Sequence, residues 1–267
     1  MRKNNFFFIV ETRITSKRLP GKVLKKIFKN YLALDYVIKN ILRAGIKKDK
    51  IIIATPNNNK NRSIWNFVKK KYKIKIFKGP EENVFKRVFE CCKKYQIKYF
   101  ARITSDNIML DPIFIKAAIQ QFITAKADYI SSNTIEHSPN WKGRSEYNEG
   151  TSIEILNSNL LEKIKNSISK KNYEYPTWLI FSKPKRFNLQ KMKLIKRYRG
   201  YKIKKFRTTL DTFEDLEFLR TVSKKLNLLP GNKNFLRLIK KSKIVHPFLK
   251  INKKVEKKLA YKVIKRR

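Results

Sequence analysis

Residues 6–22 read FFFIVETRITSKRLPGK, an apolar run followed by a basic segment that contains a proline and a glycine. The five consecutive apolar residues from Phe6 to Val10 are typical of a strand buried on both faces of a sheet. Cations follow that run closely, and they are Arg13, Lys17, Arg18 and Lys22. The stretch therefore predicts a buried β-strand that leads directly into a basic loop, residues 13–22.

Further apolar, β-branched runs follow, and longer stretches of helical period separate them. The runs are 51–55, 74–77, 99–103 and 129–132, and the helical stretches are 31–43, 84–95 and 112–126. This alternation is typical of βαβ units and a mostly parallel sheet. Near-continuous hydrophobicity in the runs predicts that helices cover both faces of the sheet. We expect one α/β domain over residues 1–250, with a Rossmann-like, mostly parallel mixed sheet flanked by helices.

The second half of the chain carries weaker signals. Residues 133–150 are rich in polar and turn residues, and a loop of this length usually has a function, so we expect an arm over the site. Strands are predicted at 151–156 and 202–209, and a helix at 158–169. A further helix begins at Asp211 or Thr212, either of which can cap it.

The chain of 267 residues has 65 Lys and Arg against 20 Asp and Glu, a formal net charge of +45. Nucleic acid, anionic membrane and phosphorylated substrates are all candidate partners of such a protein. A general compositional bias toward lysine explains the charge equally well, because the cations are spread from end to end. We expect no specific nucleic acid as a partner, and residues 251–267 are predicted to form a basic C-terminal tail.

Two features bear on the compartment. The adjacent Cys91 and Cys92 do not suit a structural disulfide, which favours a reducing cytoplasm. The apolar run Phe6–Val10 is too short for a signal peptide core or a membrane span, and no other run approaches the roughly 20 residues that a span needs. The expectation is a cytoplasmic protein without a transmembrane segment.

The basic loop is suited to phosphate groups. A loop at the carboxyl end of a parallel strand opens into the crevice in which α/β folds bind ligands, and backbone N–H groups there add to charged side chains. Arginine offers a fork that matches two phosphate oxygens, whereas lysine acts as a mobile point charge. The loop could therefore neutralise a triphosphate. An ordinary basic surface loop is the alternative in so lysine-rich a chain.

Carboxylates follow other predicted strands. Asp106 lies in the loop after the run 99–103 and has no helix of its own to cap, so it is a candidate ligand for Mg²⁺, which usually takes one or two carboxylates plus phosphate oxygens. Asp211 is the candidate second carboxylate, with plain helix capping as an equal alternative. Asp111 precedes Pro112 and is predicted to be a structural N-cap.

Further polar residues lie where a substrate could be bound. Glu154 sits among isoleucines in a predicted strand, so it is either a salt-bridge partner or a ligand for a substrate hydroxyl. Glu174 and Thr177 lie beside aromatic residues in a stretch suited to a sugar. The sequence offers no recognisable pairing of a nucleophile with a base, which argues against covalent catalysis. Metal-assisted transfer of a nucleotidyl group needs neither Cys nor His.

Taken together, these segments resemble the cytidylyltransferases that activate acidic and other cell-surface sugars, in particular the spore-coat polysaccharide type related to acylneuraminate cytidylyltransferases. The first family motif, QARxxSxRLPGK, is similar to residues 11–22, ETRITSKRLPGK. The family's RITGDxPLxDP resembles residues 102–112, its GxxxE resembles residues 150–154, and its VDxPEDLE resembles residues 210–217. The resemblance covers the chain from residue 6 to about residue 226, and the motifs occur in the family's order.

The resemblance implies a nucleotidyltransferase that attaches CMP from CTP to a sugar and releases pyrophosphate, with Mg²⁺ as cofactor. It implies that Arg13, Lys22 and Asp106 are catalytic and that Asp106 and Asp211 hold the metal. The implied nucleotide-binding residues are Arg13, Ser16, Arg18, Pro20, Gly21, Lys22 and Arg102. The implied sugar-binding residues are Glu154, Glu174 and Thr177. A homodimer is expected on the same basis.

This chain departs from the family motifs at Glu11 and Ser105, where they have glutamine and glycine, and at Thr15, a position that the motif above leaves open but where glycine is usual in the family. These changes predict altered specificity or reduced activity, because a side chain at a family glycine hinders a close backbone approach. Two other functions stay open at this point. One is a relative that binds nucleotide without turnover, and the other is a basic nucleic-acid-binding protein on an α/β scaffold.

Overall fold

The computed structural model describes residues 5–132, 147–148, 150–170, 173, 177, 179–180, 187–201, 207–241 and 243. The strands are β1 (Phe6–Glu11), β2 (Lys26–Phe28), β3 (Tyr31–Leu32), β4 (Ile51–Pro56), β5 (Lys75–Gly79), β6 (Tyr99–Thr104), β7 (Tyr129–Ser131), β8 (Glu154–Asn157) and β9 (Leu189–Lys191). The α-helices are α1 (Ala33–Arg43), α2 (Arg62–Tyr72), α3 (Val84–Lys94), α4 (Pro112–Thr124), α5 (Asn159–Ile164), α6 (Phe213–Leu226) and α7 (Asn234–Lys240).

Seven of these strands form one sheet in the order β5-β4-β1-β6-β8-β7-β9. Strands β5, β4, β1 and β6 are mutually parallel, whereas β8 runs antiparallel to both of its neighbours, β6 and β7. Strands β2 and β3 form a separate antiparallel pair. The expected mostly parallel mixed sheet flanked by helices is confirmed.

The apolar runs are buried on both sides because alternate residues of each strand face opposite layers. Phe8, Val10 and Ile53 pack in one hydrophobic cluster. Phe7 and Ile52 pack in the other cluster, on the opposite face of the sheet. Each face is thus covered, as near-continuous hydrophobicity predicted.

Most predicted elements occur within one to three residues of their expected bounds, but some details differ. The predicted helix 158–169 is shorter, because α5 ends at Ile164 and a 3-10 turn, Lys165–Ser167, follows it. Helix α2 was not predicted, because its buried stripe is narrow, with Ile64, Val68 and Tyr72 four residues apart beside a run of lysines. Strand β8 begins at Glu154, so this residue opens the strand instead of lying in its middle. Residues 207–209 of the predicted strand 202–209 lie outside the strands, and 202–206 are not among the described residues.

Several expectations fall on the parts of the chain that the structure does not describe. These are most of the predicted arm at 133–150, Glu174, and the tail at 251–267. Both cysteines are buried thiols, and burial raises the pKa of Cys91 to about 12. Among the described residues, no helix has the length and apolar character needed to cross a membrane.

Candidate functional site

The basic loop leaves the carboxyl end of β1 and is closed by its own backbone. The Gly21 N–H donates to the Ile14 carbonyl at 3.0 Å, which brings the two ends of the loop together. Gly21 has a φ of 69°, a left-handed conformation that glycine adopts without steric cost. Leu19 is buried and anchors the tip, and its N–H donates to the Ser16 hydroxyl at 3.4 Å. This closure turns the chain so that Lys22 points back toward the sheet.

Lys22 lies between two carboxylates from distant parts of the chain. Its Nζ donates to Asp106 Oδ2 at 2.8 Å and to Asp211 Oδ1 at 2.7 Å. Burial alone would lower the pKa of Lys22, but the two carboxylates raise it above its ordinary value, so the ammonium stays charged. Burial alone would raise the pKa of Asp106, but Lys22 holds it below its ordinary value. Asp106 and Asp211 are called the carboxylate pair below.

Asp211 does not cap the helix that follows it. Thr212 is the N-cap of α6, and it forms a capping box with Asp215. The carboxylate of Asp211 instead accepts hydrogen bonds at Oδ2 from Arg18 at 2.8 Å and from Arg207 at 3.2 Å. The sequence left two interpretations of Asp211 open, a second carboxylate ligand or a plain helix cap. Capping of α6 by the Asp211 side chain is thus excluded.

Buried Arg207 orients the Asp211 carboxylate through a hydrogen bond. It is 1% exposed, and its Nε donates to Asp215 Oδ1 at 3.2 Å. Asp215 Oδ2 in turn accepts from the backbone N–H groups of Asp211 and Thr212, both at 3.0 Å. Sequence reasoning did not identify Arg207, whose only local signal is its position four residues before Asp211.

A backbone hydrogen bond helps to bring the carboxylate pair together. The Leu210 N–H donates to the Asp106 carbonyl at 3.0 Å, which joins the loop after β6 to the segment before α6. Gly150 lies against the same segment, and a Cβ there would meet the backbone of Thr208 and Thr209 at 2.3 Å. Glycine at this position therefore has a physical reason, since any side chain would clash with the backbone of residues 208–209.

Asp111 is structural, as expected, but by a different contact. It precedes Pro112 at the start of α4, yet its side chain makes no capping bond there. Its carboxylate accepts from the N–H groups of Phe235 at 3.0 Å and Leu236 at 2.8 Å, in the first turn of α7. Asp111 is thus the N-cap residue of α4 with Pro112 at its start, as predicted, while its carboxylate caps a helix that is remote in sequence.

Arg102 lies between two other acids near the same edge of the sheet. It donates to both carboxylate oxygens of Glu11, at 2.7 and 2.9 Å, and to Glu154 Oε2 at 2.5 Å. Burial alone would lower the pKa of Arg102, but Glu11 and Glu154 raise it above its ordinary value. The acid at position 11 is thus paired with Arg102. The binding of nucleotide by Arg102 stays a prediction.

The other oxygen of Glu154 is also occupied. Oε1 accepts from the Tyr129 hydroxyl at 2.6 Å and from the Thr177 hydroxyl at 3.0 Å. The structure therefore brings together two of the three predicted sugar-binding residues. Arg13, Ser16 and Pro20 lie on the basic loop, as the sequence requires.

A polar cavity of about 370 Å³ lies beside the basic loop, at the carboxyl ends of β4 and β5. Its lining residues are Asn57, Asn58, Lys78, Gly79, Pro80, Glu81 and Glu90. Amide, ammonium and carboxylate groups at one wall can both donate and accept hydrogen bonds to a polar ligand. No sequence motif identified these residues, which come from the end of β5, from the loops after β4 and β5, and from α3.

The described residues contain no group of three or more His, Cys, Asp or Glu that could hold a metal ion. The carboxylate pair fits Mg²⁺ nonetheless, because this ion is usually bound by one or two carboxylates together with phosphate oxygens of a substrate. Both carboxylates already converge on a single cation, the Lys22 ammonium. A metal there would depend on phosphate for its remaining ligands.

A helix-flanked, mostly parallel sheet with a basic loop after its first strand, and acids at the same edge, is the arrangement of an α/β domain that binds its ligand at the carboxyl ends of the strands. Solved structures agree on the fold. A cytidylyltransferase from Leptospira borgpetersenii serovar Hardjo-bovis superimposes with a TM-score of 0.76 at 20% identity, covering 92% of this chain and 96% of that one. CMP:2-keto-3-deoxy-manno-octonic acid synthetase complexed with CTP superimposes with a TM-score of 0.58 at 14% identity, covering 83% and 99%.

Sequence comparison makes the assignment more specific. The profile of the cytidylyltransferase family matches residues 7–242, and the chain belongs to that family. It is 27% identical over 232 residues to the spore coat polysaccharide biosynthesis protein SpsF of Bacillus subtilis, covering 85% of this chain and 90% of SpsF. It is 28% identical over 226 residues to the uncharacterized protein MJ1063 of Methanocaldococcus jannaschii, covering 83% and 84%. The protein is a nucleotidyltransferase.

Proposed function

We propose that this nucleotidyltransferase transfers CMP from CTP to a sugar destined for a cell-surface polysaccharide, with Mg²⁺ as its cofactor. One observation carries the proposal: the last cation of the basic loop, Lys22, is held between Asp106 and Asp211. A cation for phosphate and two acids for a divalent metal therefore meet at one place. The chemistry of nucleotidyl transfer needs this combination and little else.

The resemblance to the family and the positions of the described residues support the following roles. Arg13 and Lys22 would bind the triphosphate, and Arg18, half exposed beside Asp211, would add a third cation. Asp106 and Asp211 would hold Mg²⁺, which when bound neutralises the charge that develops on the phosphate oxygens. Arg207 and Asp215 would keep Asp211 oriented for that purpose.

The proposed reaction does not require an acid or base of unusual pKa. The oxygen of a sugar hydroxyl forms a bond to the α-phosphorus of CTP, and the bond from that phosphorus to the bridging oxygen of the β-phosphate breaks. Pyrophosphate leaves with the electron pair, and the hydroxyl proton is lost to solvent. The cations of the basic loop stabilise the charge of the transferring phosphate and of the leaving group.

The polar cavity beside the basic loop is the proposed place for the base, because its donors and acceptors suit the polar edge of a pyrimidine. Support for a sugar acceptor comes from the names of SpsF and of the octonic acid synthetase. Glu154 and Thr177 stay the predicted sugar contacts. Each oxygen of Glu154 already accepts a hydrogen bond, so a sugar hydroxyl there would share an acceptor. Homodimer formation and a cytoplasmic location also stay predictions.

Thermal unfolding with CTP, UTP, ATP or GTP, each with and without Mg²⁺, tests the proposal. A ligand that binds the folded state raises its stability with the logarithm of the ligand concentration over Kd. We expect the largest shift for CTP with Mg²⁺, and its loss in Asp106→Asn. Equal shifts for all four nucleotides, abolished by moderate salt, would contradict the proposal and indicate non-specific binding of phosphate by the basic surface.

A further inference from the structure

Thr15, in the basic loop, makes a contact through its side chain that glycine could not make. Its hydroxyl donates to Glu81 Oε1, in the loop between β5 and α3. Thr15 is not among the residues with a left-handed backbone, so a side chain is accommodated there without conformational strain. The side chain that the sequence predicted to hinder a close backbone approach thus also forms a hydrogen bond to another loop.

The contact is one side of a closed hydrogen-bonded ring. The other oxygen of Glu81 accepts from the Asn58 amide, and Asn58 Oδ1 accepts from the Asn61 amide at 2.6 Å. Asn61 Oδ1 then accepts from the backbone N–H of Ile14 at 3.0 Å, next to Thr15. Three loops, those after β1, β4 and β5, are thus joined through four side chains.

The ring is connected to buried residues on two sides. Arg87 is 2% exposed on α3, and its Nη1 donates to the carbonyls of Pro80 at 2.5 Å and Glu81 at 3.1 Å. Its stem lies so close to Gly79 that a Cβ there would meet Arg87 Cγ at 2.9 Å. Asn61, on the opposite side of the ring, is fully buried. The ring therefore connects Ile14 and Thr15 to buried parts of the domain.

We propose that the ring of Thr15, Glu81, Asn58 and Asn61 is a positioning device that sets the shape of the basic loop for nucleotide binding. Arg13 directly precedes the tethered residues, and the closing bond from Gly21 ends on Ile14. A shift of this segment would therefore move the cations at both ends of the loop. Glu81 and Asn58 also line the polar cavity, so the same ring connects the proposed base site to the phosphate site.

This inference rests on the proposed function, and Thr15→Val is the variant that tests it, since valine keeps the shape and loses the hydroxyl. Losing a hydrogen bond to a carboxylate should weaken CTP binding by about tenfold. Thr15→Ser should restore it, whereas Thr15→Gly should not. Thr124→Val, which removes an exposed hydroxyl from α4, is the matched control. The Kd for CTP with Mg²⁺ is measured by calorimetry well below the melting temperature, where every variant is folded.

Amide hydrogen exchange over residues 12–18 without nucleotide provides a second, independent measurement. The ring predicts faster exchange in Thr15→Val than in Thr15→Ser or wild type. If wild type binds CTP and Thr15→Val binds it equally well, the positioning role is overturned, even if the melting temperature falls. If wild type binds no CTP, the proposed function fails, and the exchange rates alone decide whether the ring orders the loop.

Discussion

Replacing Arg102 by methionine should destabilise the protein strongly. The guanidinium pairs with both Glu11 and Glu154, whose side chains are 8% and 5% exposed. Removing one partner of a buried ion pair typically costs 3–5 kcal/mol, because the remaining charge is left buried without compensation. Since both carboxylates lose the same cation, we expect the free energy of unfolding to fall by about 4 kcal/mol.

Urea unfolding followed by circular dichroism measures this loss, which corresponds to a decrease in midpoint of roughly 1–2 M for m-values of about 2–3 kcal/mol per M. Lys86→Met is the control, because it removes one partner of the exposed pair with Glu90 and should cost less than about 1 kcal/mol. Converting Glu11 and Glu154 to glutamine in the Arg102→Met background should recover part of the loss. A decrease no larger than that of the control would refute the reasoning.

Three further variants test other parts of the site. Burial raises the pKa of Asp111 to about 6, so the stability due to its bound proton is present below pH 4 and is lost as the pH rises through 6. The difference in unfolding free energy between wild type and Asp111→Asn should therefore change by roughly 2–3 kcal/mol between pH 4 and 7, and a constant difference would contradict this. Lys22→Met should weaken CTP binding, because a cation for phosphate is lost. The same variant should bind Mn²⁺ about tenfold more tightly without nucleotide, because the carboxylate pair loses its competing cation. Electron paramagnetic resonance measures the Mn²⁺ affinity. Unchanged Mn²⁺ affinity would argue against the shared site. Gly150→Ala should lower the free energy of unfolding by about 3 kcal/mol or more, because its Cβ would meet backbone atoms at 2.3 Å. Gly45→Ala, with open space around the Cβ, should lower it by only about 1 kcal/mol. Equal losses in thermal unfolding would contradict this prediction.

The fold was predictable because its signals are local. Buried parallel strands require near-continuous apolar runs, and such runs at 6–10, 51–55 and 99–103 became β1, β4 and β6. The meeting of Lys22 with Asp106 was also predictable in outline, since the carboxyl ends of parallel strands lie at the same edge.

The contacts that orient the site were not predictable, because they join residues far apart in sequence through geometry alone. Asp111 accepts hydrogen bonds from N–H groups more than a hundred residues away, and no local pattern distinguishes this from capping of α4. The bond from Thr15 to Glu81 spans 66 residues between two loops. From the sequence, Thr15 was only a departure from a family glycine, and its partner was invisible.

A crystal structure with CTP and Mn²⁺ tests the central claim most directly, because manganese can be located by its anomalous scattering. The account predicts a Mn²⁺ peak in contact with both Asp106 and Asp211, with the triphosphate against Arg13 and a Lys22 ammonium that has moved from the carboxylate pair to phosphate oxygens. A triphosphate bound away from the basic loop, or Mn²⁺ that contacts neither carboxylate, would contradict the account.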